Sequence, residues 1–285
     1  MLTIKKIIIP TLIAASLAFT ALAEEQGNAA SAADKAAKEL ANPNTALASL
    51  NFKFQYTTFE GDLPKADDQT RNMILFQPSM PFPREDGSKI LFRPAIPMFT
   101  QQPVYQGGES WSDESGLGDI SFDLAYAPKS EAGSLAAYGF IMSLPTGSDE
   151  IGLGESTTFG PEVLLGKLSA ESILGMFPNH QWDIAGDRDI SITSSQFFAV
   201  LLPGGGWSYG TSPIISYDWN AKDNQEWTIP VNFTVSKTLM FSGRPWKIGV
   251  ELNYYVEKPD EFGPEYMISF NITPVVENSL VSWFN

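Results

Sequence analysis

The sequence predicts an all-β fold: an antiparallel transmembrane β-barrel of about twelve strands, with a short N-terminal helix after a signal peptide. Apolar and polar residues alternate in about twelve segments, and a period of two is typical of strands, whose successive side chains point to opposite faces. Most segments have about ten residues or slightly more, enough for a tilted strand to cross a bilayer. The connections alternate between long loops and tight turns, as in outer-membrane barrels, which also have an even number of strands.

The N-terminal 23 residues predict a secretory signal peptide. Lys5 and Lys6 precede an apolar stretch, and Ala21-Leu22-Ala23 resembles a small-residue cleavage site before Glu24. No later stretch approaches the roughly 18 consecutive apolar residues of a membrane helix. We therefore expect export to the outer membrane of a Gram-negative cell, with residues 24–48 in the periplasm.

Residues 29–41, AASAADKAAKELA, are rich in alanine and carry charges at helical spacing. They predict a short helix that ends before Asn42-Pro43. Two roles remain open for this segment: a periplasmic extension, or a plug that folds back into the barrel.

Strand character begins at Leu50, where LNFKFQYTTF places Phe52, Phe54 and Tyr56 on one face. The predicted barrel covers residues 49–276. Its twelve segments are 49–60, 71–83, 88–101, 117–128, 134–145, 157–168, 171–183, 189–202, 207–219, 226–239, 244–257 and 264–276. The tail, residues 277–285, is either an extension or part of a longer last strand, because outer-membrane barrels commonly finish on a terminal aromatic residue.

The connections predict two different ends of the barrel. With a periplasmic N-terminus, several outward loops are long and acidic, such as GDLPKADDQT and TGSDEIGLGES, whereas the opposite turns are short, such as REDGS and PGGG. Acidic outer loops suit divalent ions that bridge lipopolysaccharide, or cationic solutes.

Several stretches resemble a known family. They are ELANPNTALASLNFKFQY (39–56), GLGDISF (116–122), LPTG (144–147), TSPIISYDWN (211–220), WTIPVNFTVSK (227–237) and NYYVEKPDEFGPEYMISFNITPV (253–275). The chain resembles Gram-negative outer-membrane proteins related to the phenol-degradation meta-pathway family, labelled "transporter" and often, inaptly, neuromedin U. The resemblance implies an outer-membrane barrel with a transport role, and its naming hints at aromatic or other hydrophobic compounds. It supplies no catalytic residue.

Composition argues against several function classes. The net charge of −15 disfavours nucleic acid, whose phosphates require a basic surface. With one histidine and no cysteine, an ordinary zinc site is nearly excluded, and we expect no metal or cofactor. A Ser-His-Asp triad could use His180, as in barrel lipases, but no GxSxG motif accompanies it. The sequence therefore predicts no enzyme.

Arg93 interrupts the apolar run ILFRPAIPMF. An arginine facing lipid would cost about 2–4 kcal/mol at the bilayer midplane, so it should point into the lumen. The charged residues predicted to line the lumen are Lys53, Arg93, Asp119, Asp123, Glu162, Asp218, Lys247 and Glu251. Both signs are present, which predicts ion pairs across the lumen. These pairs either stabilise the interior or select solutes.

The stretch GLGDISFDLAY contains two of these acids. We expect Gly116 and Gly118 to close an outer loop and a strand to begin at Asp119. Asp119 and Asp123 are then neighbours on the lumen face about 7 Å apart, which does not make them a chelating pair.

The predicted function is that of a passive channel for small solutes, with a lumen that is open, partly filled or gated by residues 24–48. The alternative is a barrel that does not transport and contributes to envelope structure or adhesion. The expected partners are outer-membrane lipid and lipopolysaccharide, a small-molecule solute and the barrel-assembly machinery, and not nucleic acid.

Overall fold

The structure is a computed structural model that describes residues 30–131 and 133–283. The predicted signal peptide, residues 1–23, lies outside the described residues. Among the described residues, none of the helices has the length and apolar character needed to cross a membrane.

Fourteen strand segments form one antiparallel sheet. They are β1 (Ala48–Glu60), β2 (Thr70–Pro83), β3 (Lys89–Gly107), β4 (Ser110–Leu117), β5 (Ser121–Ala127), β6 (Ser134–Ser143), β7 (Ser156–Leu168), β8 (Ser172–Gly186), β9 (Ser191–Gly204), β10 (Trp207–Thr211), β11 (Ile214–Asp218), β12 (Trp227–Phe241), β13 (Arg244–Glu257) and β14 (Gly263–Val276). Both β4 and β5 pair with β3, and both β10 and β11 lie between β9 and β12. β4 and β5 therefore share one strand position in the barrel wall, and β10 and β11 share another. Counted by position, the barrel has twelve strands.

The sheet closes on itself. The first strand pairs with the last from Ala48 opposite Val276 to Glu60 opposite Gly263, and β12 pairs with β13. Closure joins the two edge strands of the twelve-stranded ring, which is the arrangement that a barrel uses to avoid edge-to-edge aggregation. The predicted fold class, a twelve-stranded antiparallel barrel with a short N-terminal helix, is confirmed.

The two faces of the barrel have inverted character. Large apolar side chains are exposed on the outside, for example Phe54, Val231, Phe233, Tyr254 and Phe270. By contrast, the largest fully buried side chains include the inward-facing hydroxyl residues Thr57, Thr238 and Ser269. The alternation of each strand produces this inversion, because odd and even residues face opposite sides.

Part of the inner face is nevertheless apolar. Leu91, Ala125, Ala137, Leu164 and Phe177 form a buried cluster on β3 and β5–β8, with Phe198 packed against it. These residues fill the lumen on one side of the barrel near the short turns.

Two strands differ from their sequence-based bounds. The segment predicted over residues 117–128 is broken by residues 118–120, and β3 and β4 extend as a hairpin beyond the rest of the barrel. The prediction that a strand begins at Asp119 is therefore wrong, since β5 starts at Ser121. Similarly, Ser212 and Pro213 separate β10 from β11, and Pro213 has no N–H to donate to the ladder.

Residues 30–41 form a helix, α1, at the end of the barrel that carries the short turns. Ala33, Ala36 and Ala37 are buried, and Asp34 accepts a hydrogen bond from the backbone N–H of Gly206 at 2.5 Å. Gly206 lies in the β9–β10 turn with φ of 76°, where an added Cβ would meet the carbonyl oxygen of Thr238 at 2.3 Å. Only glycine fits this position, so the turn provides a close docking point for the helix.

After α1 the chain crosses the same mouth of the barrel. The backbone carbonyl of Leu40 accepts a hydrogen bond from Lys247 on β13 at 3.5 Å, and that of Asn44 accepts one from Lys89 on β3 at 2.6 Å. Cations at the C-terminal end of a helix satisfy its free carbonyls and interact favourably with its dipole. Residues 30–45 therefore lie at the turn-side mouth and contact the barrel there, and this segment is called the plug below.

The C-terminal residues continue past the last strand. β14 ends at Val276, and a 3-10 helix spans Ser279–Trp283. Asn278 donates to the carbonyl of Pro81 at 2.7 Å, which ties the tail to the end of β2.

Closure between β1 and β14 can be tested with a disulfide, because the chain contains no cysteine. Gln55 lies directly opposite Ser269. Opposed residues of antiparallel strands have Cα atoms about 4.5–5.5 Å apart, within the range that a disulfide spans. We expect Gln55→Cys/Ser269→Cys to oxidise within one molecule, seen as a mobility shift on a non-reducing gel. Gln55→Cys/Phe270→Cys is the control, because its side chains face opposite sides and should not oxidise. Equal oxidation of both pairs, or of neither, would contradict the register.

Candidate functional site

A cavity of about 270 Å³ lies inside the lumen next to the plug. Residues 40–43 and Thr45 of the plug form one boundary. Residues of β1–β3, β9 and β12–β14, together with Ser212 between β10 and β11, form the rest. Four of the eight predicted lumen residues line it: Lys53, Arg93, Lys247 and Glu251. The remaining lining is mostly amide and hydroxyl groups, including Asn51, Gln77, Gln196, Ser212, Thr234, Asn271 and Thr273.

One wall of the cavity carries Lys53, Glu251 and Lys247. Lys53 pairs with Glu251 at 3.4 Å. Glu251 also accepts hydrogen bonds from Asn232 and Asn253, at 3.2 and 3.3 Å. Its charge is thus matched by three donors, as a buried carboxylate requires.

Lys247 has a different environment. It lies close enough to Lys53 and Glu251 for electrostatic interaction. In the described part of the chain, however, no carboxylate lies within ion-pair distance of it. Its hydrogen bond to the carbonyl of Leu40 is long, at 3.5 Å.

The opposite wall carries an ion pair between neighbouring strands. Arg93 and Asp123 are direct partners in the β3–β5 register, and their charged groups are 2.6 Å apart. The guanidinium also lies over the ring of Phe177, 4.5 Å from its centroid. Glu162, which is only 3% exposed, interacts electrostatically with both members of the pair, and its Oε2 atom has no hydrogen-bond partner. Asp123 and Glu162 therefore lie in the wall behind Arg93 and do not line the cavity.

The last two predicted residues lie away from the cavity. Asp119 precedes β5 and accepts a hydrogen bond from the backbone N–H of Gly147 at 2.8 Å, so it fastens the β6–β7 loop. Asp218 ends β11 and accepts from the backbone N–H of Asn220 at 3.0 Å. The expectation that Asp119 and Asp123 are lumen neighbours is wrong, because the break at residues 118–120 removes Asp119 from the strand.

The ion pairs also differ in direction from the prediction. Arg93 and Asp123 are on adjacent strands, and Lys53 and Glu251 are separated only by β14. Both pairs run along the wall rather than across the lumen. A barrel wall places inward groups of neighbouring strands within about 5 Å, and this short distance favours pairing along the wall.

Lys89 is a functional residue that sequence reasoning missed. It donates a hydrogen bond to the carbonyl of Asn44 in the plug, yet it is not among the charged residues that the sequence predicts to line the lumen. The sequence does contain the necessary pattern. Lys89, Leu91 and Arg93 are alternate residues of β3, so their side chains all point to the same, inward face.

His180 does not form a triad. Its Nδ1 atom pairs with the hydroxyl of Thr193 at 2.7 Å, the position that a triad carboxylate would occupy, and its Nε2 atom is 3.5 Å from the hydroxyl of Ser191. Among residues 30–131 and 133–283, no group of three or more His, Cys, Asp or Glu side chains is arranged to hold a metal ion.

The comparisons with known proteins support the fold. No protein-family model matches the chain, and no curated protein matches it. Among solved structures, the NanC porin is similar, with a TM-score of 0.50 and 12% identity over 80% of this chain and 99% of that chain. A double mutant of the Rh. blastica porin has a TM-score of 0.27 and 7% identity over 80% and 99% of the two chains. The first likeness is evidence for a porin-like barrel architecture, and the second is too weak for argument.

Removal of the Arg93 charge should destabilise the barrel strongly. Arg93→Met leaves Asp123 and Glu162 buried beside each other without their cation. Breaking a buried pair in this way costs about 3–5 kcal/mol. We expect that loss in the free energy of unfolding measured with urea in lipid vesicles. The control is Arg244→Met, at an exposed strand end, which should change the free energy by less than about 0.5 kcal/mol. Equal effects would show that the inner charge cluster contributes nothing specific.

Proposed function

We propose that this protein is an outer-membrane channel through which small solutes pass passively. The observation that carries the proposal is a closed barrel with an apolar outer face and a polar cavity inside. In hydrocarbon every backbone polar group must be paired within the protein, and a closed barrel meets that requirement.

Aromatic residues at both strand ends support a bilayer location. Trp182, Trp219 and Trp227 are exposed near the long loops, and Trp207 and Phe241 are exposed near the short turns. Membrane barrels carry such girdles at the two interfaces, where an aromatic ring meets both lipid and water.

The plug places the N-terminal segment at the turn end, which we assign to the periplasm. The long loops then face outward, where acidic residues such as Asp67, Asp149 and Glu150 suit divalent ions that bridge lipopolysaccharide. Insertion of such a barrel depends on the barrel-assembly machinery and on a signal peptide at residues 1–23.

The structure represents a closed form in this proposal. Residues 40–45 occupy the turn-side mouth, and Lys89 and Lys247 hold them by hydrogen bonds. The backbone N–H of Gly206 holds α1 through Asp34. Solute passage requires the segment to move, and a few hydrogen bonds worth about 1 kcal/mol each are compatible with opening.

The solute class remains a prediction. The expectation of aromatic or other hydrophobic compounds comes from the family resemblance alone. The cavity offers amides, hydroxyls and charges, and apolar side chains such as Leu40, Phe198 and Val200 also line it. A panel of carbon sources supplied to a deletion strain tests the class directly.

A barrel without transport activity is the alternative. The apolar cluster around Leu164 and Phe177 fills part of the lumen, and the plug covers the turn-side mouth. A permanently filled interior would suit a structural or adhesion protein of the envelope.

Release of the plug should raise conductance. Ala37 is 2% exposed, so Ala37→Lys introduces a charge into the buried face of α1 and should displace the helix. We expect larger single-channel currents in planar bilayers than those of the unmodified protein. Ser31→Lys adds the same charge at an exposed position of the same helix and should leave the currents unchanged. Absence of current in all three proteins would contradict the channel proposal and favour the alternative.

A charge on the outer face should disturb membrane insertion. Phe233 is 51% exposed near the middle of β12. Phe233→Arg should lower the free energy of unfolding in lipid vesicles by about 2–4 kcal/mol. Phe233→Leu keeps an apolar side chain at the same site and serves as the reference. If the two variants were equally stable, this face would not contact lipid.

A further inference from the structure

The cavity inside the barrel has an electrostatic character opposite to that of the whole chain. The protein has a net charge of −15, with 33 acidic residues against 18 basic ones. The residues that line the cavity include three cations, Lys53, Arg93 and Lys247, and among the described residues a single acid, Glu251. The surface offered to a molecule in the cavity is therefore positive.

The balancing acids are placed where a solute in the cavity does not meet them. Asp123 and Glu162 lie behind Arg93 and are 9% and 3% exposed. Asp123 pairs with Arg93 at 2.6 Å and thereby compensates it. Because both acids are on the β5–β7 side, the positive excess is on the opposite wall, around β1 and β13.

On that wall two ammonium groups share one carboxylate. Glu251 is bound by Lys53, Asn232 and Asn253, and Lys247 stays without a carboxylate within ion-pair distance among the described residues. The long contact to Leu40 leaves Lys247 with donor capacity, since an ammonium group has three N–H bonds. A buried charge without a counter-ion is unfavourable, and an incoming anion would relieve it.

The neutral groups of the lining match a hydroxylated anion. Asn51, Asn271 and Thr273 lie near the two lysines, and Thr234 lies opposite Glu251 on the neighbouring strand β12. Gln196 and Ser212 line the same cavity. Amides and hydroxyls both donate and accept, so they can bind the hydroxyl groups of a solute whose carboxylate binds the lysines.

We infer that this cavity is a binding site for small hydroxylated carboxylates, with the carboxylate between Lys53 and Lys247. This inference rests on the proposed channel function, because it identifies the class of solute that enters the same lumen. Binding to the site does not itself require conduction.

Calorimetry on the full-length protein in detergent tests the site with gluconate as the probe. Sorbitol, which has a neutral CH₂OH group in place of the carboxylate, is the matched ligand control. We expect gluconate to bind with one site per chain and sorbitol to show no measurable binding. Absence of gluconate binding, or equal binding of sorbitol, would overturn the inference.

Three lysine variants locate the site. Lys247→Met should weaken gluconate binding by about tenfold or more, because a charge-assisted hydrogen bond is lost. Lys247→Arg should retain most of the affinity, since it keeps the positive charge. Lys237→Met removes a lysine that lies on the outer face against the ring of Trp207, and it should bind as the unmodified protein does. Equal binding by Lys247→Met and Lys237→Met would place the gluconate elsewhere and overturn the assignment.

The two proposals fail in different experiments. Gluconate binding without current in any variant would contradict the channel and leave the site standing. Current without gluconate binding would contradict the binding site and leave the channel proposal standing.

Discussion

The structure depends on complete pairing of backbone N–H and C=O groups around a closed sheet. An exposed face made of Phe54, Val231 and Phe270 cannot adjoin an unpaired strand edge, because hydrocarbon offers no hydrogen bonds to replace those of water. Pairing of the first strand with the last removes that edge. Once the ring is closed, alternation along each strand places one set of side chains outside and the other inside. The apolar exterior and the polar lumen are thus consequences of the same hydrogen-bond ladder.

A polar interior imposes a second requirement, which is local neutralisation of charge. Arg93 meets Asp123 because they are partners in register, and Lys53 meets Glu251 across one strand. These pairs stabilise the wall and leave little net charge on it. Lys247 departs from the pattern, since it donates a hydrogen bond to a carbonyl of the plug and has no carboxylate within ion-pair distance among the described residues. The same side chain therefore belongs to the plug contact and to the cavity wall. Lys247 therefore links the contact that closes the turn-side mouth with the charge of the cavity wall.

Much of the fold could be predicted from the sequence, because a period of two is a local signal that each strand carries alone. The twelve strand positions and the helix over residues 30–41 follow from such local patterns. The break at residues 118–120 and the long β3–β4 hairpin were missed, since both depend on contacts with distant loops, such as the hydrogen bond from Gly147 to Asp119. The alternation of residues along each strand predicted that the side chains of Lys53, Arg93, Lys247 and Glu251 point inward. The choice of partners depends on register between strands, and the docking of α1 depends on the β9–β10 turn. Neither is encoded within a single segment.

The central claim is that the inner and outer faces are inverted around a water-accessible lumen, and labelling of single cysteines in β1 tests it most directly. The natural chain lacks cysteine, so each variant reports on one site. Asn51→Cys, Lys53→Cys and Gln55→Cys point inward, whereas Leu50→Cys, Phe52→Cys and Phe54→Cys point outward. In lipid vesicles, a membrane-impermeant maleimide should label the first three and spare the second three. Labelling that does not alternate, or that alternates with the opposite phase, would contradict the account.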